Sequence, residues 1–172
     1  MANNLRLLSS GPCTGLGEIR LPPVEAGSSI MPGKINPSIC EAVNQACFHA
    51  IGLDAAVAGA AGAGQLELNT HMPQIVSDAL EAAKLLAAAA ATLEEKCVRG
   101  IEADEAVCRR HLEGSAALAT LLSPALGYEK TAALVKEALA KGETLREIGL
   151  AKGLFTEAEY ARLLAASTAP NG

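Results

Sequence analysis

Aromatic side chains are almost missing from this chain. Tryptophan is absent, and Phe and Tyr together make up 2 % of the 172 residues. A core built on large rings is therefore excluded, and the hydrophobic half of the sequence must pack through Ala, Leu, Val and Ile. Alanine is the best helix former, so this composition favours closely packed helices. Basic clusters are missing too. The formal net charge is −5, and no Lys/Arg run interleaved with aromatics occurs, which argues against a nucleic-acid partner. Long apolar runs are also lacking. Leu85 to Leu93 is too short to span a bilayer, and the weakly apolar stretch from Ala50 to Gly64 holds Asp54. The first twenty residues lack a signal-peptide pattern, because Arg6 interrupts their short apolar stretch. These absences lead us to expect a cytoplasmic protein with no membrane contact. The five cysteines are odd in number and contain no C-x-x-C, so free buried thiols are expected rather than a disulfide framework or a zinc site.

What is present is helical periodicity. Met1 to Ser10 reads as the end of a helix stopped by Gly11-Pro12, and Pro12 to Lys34 reads as loop. Two long helices are predicted, from Pro37 to about Ala61 and from Pro73 to about Cys97. In the first, Ile39, Val43, Ala46, Ala50, Leu53, Val57 and Ala60 recur in alternating steps of four and three; in the second, Val76, Ala79, Ala83, Leu86, Ala90, Leu93 and Cys97 do the same. Each helix would span roughly 35 Å. Seams of that length need partners, which we expect from other helices outside this stretch of chain. Shorter helices follow Gly100: one from Asp104 to about Leu122, a turn at Ser123-Pro124 and Gly127, one from Tyr128 to Lys141 closed by Gly142, and two opened by the capping boxes Thr144/Glu147 and Thr156/Glu159. The fold class is thus all-α. A long-helix bundle segment over residues 1–99 precedes a small helical domain over 100–166, with a frayed tail at 167–172.

One stretch carries chemistry: Gly27-Ser28-Ser29-Ile30-Met31-Pro32-Gly33-Lys34-Ile35-Asn36-Pro37. Two hydroxyls, a lysine and an asparagine lie on a Gly/Pro-rich loop that feeds the N-terminus of a long helix. Unpaired N–H groups and the helix dipole favour an anion there, and Lys34 adds a full charge. A phosphate-binding P-loop is rejected, because the glycine spacing is one residue too long and Ile35 stands where Ser or Thr should hold magnesium. A purely structural reading remains, in which Asn36 and Pro37 form an N-cap and N1 pair and Lys34 is merely solvated.

Residues 27–37 resemble, almost position for position, the signature of the aspartase/fumarase superfamily. The likeness extends upstream through Arg6 to Pro12, Thr14-Gly15-Leu16 and Leu21-Pro22-Pro23, and downstream through Ala63 to Asn69 and Leu93 to Cys97. The Ser9-Ser10-Gly11, Gln65-Leu66 and Gly153 to Glu159 segments lean to the aspartase branch. Gly15 to Ile19, Cys40-Glu41-Ala42 and Ser123 to Tyr128 lean to fumarase.

The resemblance implies elimination across a C–C bond to give fumarate, from L-aspartate with loss of ammonia as the preferred reading, or from malate with loss of water; a truncated, non-catalytic helical assembly module is the other alternative. No metal or organic cofactor is implied. Ser28 matches the catalytic base of the family, while Ser29, Met31, Lys34 and Asn36 match positions that hold the substrate carboxylates or shape the closed loop. Glu41 matches an acidic position, with a helix-dipole role standing beside a site role. The implied partners are a small dicarboxylate and further copies in a homotetramer whose active sites combine three subunits. His71, Met72 and Asn4 depart from the family pattern. The family's N-terminal domain and much of its central bundle have no counterpart here, so these residues alone are expected to be inactive.

Overall fold

The computed structural model describes residues 1–168 and divides them into two compact units, the first ending at Asp104 and the second beginning at Glu105. Eight α-helices and one two-stranded sheet lie among the described residues.

In the first unit, α1 (Ala2–Leu8) precedes a loop, strand β1 (Ile19–Arg20), and two 25-residue helices, α2 (Ser38–Gly62) and α3 (Met72–Lys96). Both long helices begin one residue from where periodicity places them. Pro37, rather than Asn36, is the residue before α2, and Pro73 is the second residue of α3 rather than the first. The two helices form an antiparallel hairpin. Cys40, in the first turn of α2, meets Cys97, just beyond the end of α3. At the other end the connection is tied by one side chain. Asn69 Nδ2 donates to the carbonyls of Ala60 (2.9 Å) and Ala61 (3.3 Å), and its Oδ1 accepts from His71 N–H (2.8 Å). These bonds satisfy carbonyls that the end of α2 leaves unpaired. Within the connection, Gln65 and Leu68 pair across a two-residue turn in which Leu66 (φ 49°) and Glu67 (φ 63°) take left-handed backbone usually left to glycine.

The seam expected on α2 is the face the structure covers: Val43, Ala50 and Ala60 are buried, and Ile39, Ala46, Leu53 and Val57 half-buried. On α3 the expected row is displaced. Val76, Ala79, Ala83, Leu86 and Ala90 are exposed, whereas Ile75, Ala82, Leu85 and Ala89, one position earlier, are covered and lead to buried Leu93 and Cys97. The physical reason is that α3 carries apolar residues on two adjacent rows. A heptad template fits either row, and the hairpin partner covers one. The core of this unit gathers Ala2, Cys40, Val43, Leu93 and Cys97, with Leu5, Leu21 and Ile39 packed around them. Strand β2 (Glu102–Ala103) pairs antiparallel with β1, and Arg20 Nη2 meets Asp104 Oδ2 at 2.6 Å, which keeps the segment after Gly100 with the first unit.

The second unit holds α4 (Glu105–Glu113), α5 (Ala119–Leu126), α6 (Tyr128–Lys141), α7 (Leu145–Ala151) and α8 (Glu157–Thr168). The single helix expected up to Leu122 is interrupted. Gly114 ends α4, Ser115 Oγ accepts from Ala117 N–H at 3.2 Å, and a 3-10 turn leads into α5. Pro124 lies inside α5, so the turn falls on Gly127 (φ 83°) instead of Ser123-Pro124. Helix α6 has the expected bounds and closes on left-handed Gly142. Both expected capping boxes form: Thr144 and Thr156 each exchange bonds with the glutamate three residues on. The core is Leu118, Leu122, Leu134, Leu145, Ile148 and Phe155, with Tyr160 stacked on Phe155. Helix α8 runs through Thr168, and the remainder of the expected tail, 169–172, lies outside the described residues. No described helix is long and apolar enough to cross a membrane.

Candidate active site

The 27–37 segment folds as a closed loop at the entrance to α2. Its neck is a backbone bond from Gly27 N–H to the Lys34 carbonyl (3.1 Å). A side chain at residue 27 would place its Cβ 2.2 Å from that oxygen, so glycine is required. Asn36 braces the neck from below, with Nδ2 donating to the Gly27 carbonyl at 2.9 Å. The N-cap role weighed for Asn36 is not the one it takes; no side chain caps α2. Gly33 turns the chain back with φ 77°, and Lys34 N–H donates to the Met31 carbonyl (3.3 Å).

Inside this loop Ser28 is half-buried, and its Oγ accepts from the backbone N–H groups of Ile30 and Met31, both at 3.2 Å. A hydroxyl oxygen that already faces two donors sits where negative charge on it would be stabilised. Ser29, Met31 and Lys34 lie on the exposed rim of the same loop, while Asn36 is half-buried at its base. The structure thus brings Ser28, Ser29, Met31, Lys34 and Asn36 together within nine consecutive residues of the loop. Glu41 stands apart, on the first turn of α2, where its Oε1 meets Arg6 Nη2 at 3.4 Å. Its place near the helix N-terminus also suits the dipole.

Two contacts at the start of α2 carry no signal in the sequence. Ser38 Oγ donates to Glu25 Oε1 (2.5 Å), fastening the approach to the loop onto α2. Arg6 reaches Glu41 from 35 residues away; no local pattern joins such positions. Among the described residues, no cluster of three or more His, Cys, Asp or Glu could hold a metal ion.

Comparison with known proteins agrees with this architecture. A family model described as lyase matches residues 1–52, and one described as the fumarase C C-terminus matches residues 118–168. A class II fumarate hydratase of Halobacterium salinarum is 49 % identical over 92 % of the chain, and an aspartate ammonia-lyase of Helicobacter pylori is 48 % identical over 91 %. Among solved structures, a fumarate lyase:delta crystallin from Brucella melitensis superposes with a TM-score of 0.88 at 51 % identity over 95 % of the chain. A class II fumarase from Schistosoma mansoni does so at 0.83 and 36 % over 94 %. The chain belongs to the aspartase/fumarase superfamily. Its relatives carry the names of both class II fumarases and aspartate ammonia-lyases. It spans about a third of their length, 34 % of each of the two relatives named and 35 % of the Brucella chain.

Proposed function

We propose that this chain supplies the signature-loop part of an active site that eliminates a group from a four-carbon dicarboxylate to give fumarate, with Ser28 as the base. The observation that carries the reading is the pair of backbone N–H groups, from Ile30 and Met31, already directed at Ser28 Oγ. A serine hydroxyl is a poor base at neutral pH. It acts as one only as an alkoxide, and two fixed donors with Lys34 on the same loop lower the free energy of that anion. Ser28 Oγ takes the proton from the carbon next to a carboxylate. The negative charge then grows on that carboxylate as an aci-anion, and the leaving group departs from the neighbouring carbon. Stabilisation that is stronger for this doubly charged intermediate than for substrate is what accelerates the step. Lys34 offers charge to a substrate carboxylate, Ser29 a hydroxyl donor, and Met31 an apolar wall. Asn36 holds the neck closed so that these groups keep their spacing, and closure over substrate would exclude water.

For the leaving group the proposal is ammonia from L-aspartate, on the strength of the Ser9-Ser10-Gly11 and Gln65-Leu66 segments. The second reading is water from malate, favoured by the fumarate hydratase likeness at 49 % identity. In either case the site is completed by segments of the longer family architecture and by further copies in a homotetramer. The exposed apolar row of α3 supports such covering helices.

The test is ultraviolet detection of fumarate from L-aspartate and separately from L-malate. The sample is the chain joined to, or co-expressed with, the remaining family segments. Fumarate from aspartate alone is expected, and Ser28→Ala is expected to reduce it by about 100-fold or more, the range for loss of a general base. Fumarate from malate alone would replace ammonia by water. Undiminished turnover in Ser28→Ala would remove Ser28 as the base.

A further inference from the structure

Directly beneath the loop lies a pair of thiols that the elimination does not use. Cys40 is fully buried in the first turn of α2, and Cys97, at 2 % exposure, follows the last residue of α3. Their sulfurs are 3.7 Å apart. Both thiols line a small crevice with Leu21, Asn36, Pro37 and Lys96. Asn36 is the residue that braces the Gly27 carbonyl, so the thiols and the loop's brace share one cleft.

We propose that Cys40 and Cys97 form an oxidation site, where a peroxide joins them in an intramolecular disulfide that clamps the base of the 27–37 loop. The crevice is no more than water-sized, which excludes a bulky oxidant. The step balances without further reagents. The thiolate of one cysteine attacks the peroxide O–O bond, giving a sulfenic acid and releasing hydroxide. The second thiol's sulfur then displaces the sulfenic oxygen, which leaves as water. Two thiols lose two electrons in all, and one hydrogen peroxide becomes two waters. Contact at 3.7 Å places the second thiol where it can intercept the sulfenic acid before further oxidation. Closing to a bond of about 2.05 Å draws the start of α2 toward the end of α3. That tightens the segment carrying Asn36 four residues earlier in the chain.

Burial, with the hydrogen bond and charge of neighbouring Cys97, pushes the Cys40 thiol up to about 11; Arg6 on α1 acts in the opposite sense, and Glu41 in the same sense. Cys40 therefore carries its proton near neutral pH, and that proton leaves with the sulfenic oxygen as water when its sulfur forms the bond. The inference rests on the thiol geometry and stands whether or not the chain proves to be a lyase.

The experiment treats the chain with hydrogen peroxide, blocks remaining thiols, and maps the peptides without reduction. The expected result is a Cys40–Cys97 cross-link lost after dithiothreitol, while exposed Cys13 is oxidised independently. Trypsin cleavage after Lys34 should slow several-fold in the cross-linked chain and recover on reduction. Cys97→Ser and, as a second variant, Cys97→Ala should lose both effects. The map of the unmutated chain decides the matter even where a variant fails to fold. Sulfinic or sulfonic acids on Cys40 or Cys97 without a cross-link, or no reaction at either, would overturn the oxidation site. A cross-link with unchanged cleavage after Lys34 would overturn the clamp.

Discussion

Gly27 and Gly149 show how single residues govern this chain by having no side chain. At Gly27 a Cβ would lie 2.2 Å from the Lys34 carbonyl oxygen, and at Gly149 it would lie 2.1 Å from the Phe155 ring. Neither position depends on left-handed backbone; what each requires is close approach. We therefore expect Gly27→Ala to open the loop neck, at a cost of about 1–3 kcal/mol typical of overpacking. The measurement is limited trypsin digestion, in which cleavage after Lys34 should accelerate while α6 to α8 stay intact. An unchanged rate would show that the neck does not restrain the loop. Ser28 belongs to the same scale. Its hydroxyl sits between two backbone donors because Gly27 and Gly33 let the chain fold tightly around it, and on the proposed reading this makes the serine the residue whose replacement should reduce fumarate formation by about 100-fold or more.

At the scale of elements, the helices of the second unit end in acid-dependent ties. Glu147 and Glu159 are held below the usual carboxylate range by the backbone N–H and then the hydroxyl of Thr144 and Thr156. Glu137 is lowered by its bonds to Lys141 and then Lys152. A depressed folded-state pKa contributes stability that is fully present above the ordinary glutamate value of 4.5 and is lost as pH falls through the lowered one. All three groups act in the same direction. The expected outcome is a melting temperature that falls on acidification below about 4.5, the ordinary glutamate value. Thr144→Ala should lower stability at neutral pH by about 1 kcal/mol and flatten the acid limb. A parallel acid limb in wild type and variant would remove the capping box as its cause. The first unit makes a different point. Arg6 and Glu41 form one partly exposed pair, worth little by itself. Helix α1 is fixed instead by burying Ala2 beside Cys40, Val43 and Leu93.

At the scale of the whole chain, the two long helices leave apolar rows uncovered. Phe48 and Ile51 on α2 are each 65 % exposed, and Val76, Leu80 and Leu86 on α3 are exposed as well. Large contiguous apolar surface marks an interaction face. The chain spans about a third of its relatives' length, and on the proposed reading these rows are the faces that further helices of the longer family architecture would cover. We expect the isolated chain to self-associate in size-exclusion chromatography with light scattering, and Leu86→Lys to shift it toward monomer without loss of helical circular dichroism. Monomeric behaviour of the unmutated chain would count against these rows as contact faces.

The sequence by itself determined the all-helical class, the length of α2 and α3 to within a residue at their starts, the bounds of α6, and both capping boxes. Those features rest on local rules: helical period, glycine stops, and hydroxyl–carboxylate exchange three residues apart. It also picked out the loop, because eleven consecutive residues resemble a family signature. Tertiary structure alone decided which apolar row of α3 is covered, since two adjacent rows satisfy the same period and the choice depends on how α2 lies against them. It decided that Asn36 braces Gly27 instead of capping α2, because that choice depends on where a carbonyl nine residues earlier is held. It placed Arg6 on Glu41 and Cys40 against Cys97, contacts between residues 35 and 57 positions apart. Local patterns read neighbours along the chain, whereas those contacts exist only once the hairpin has closed.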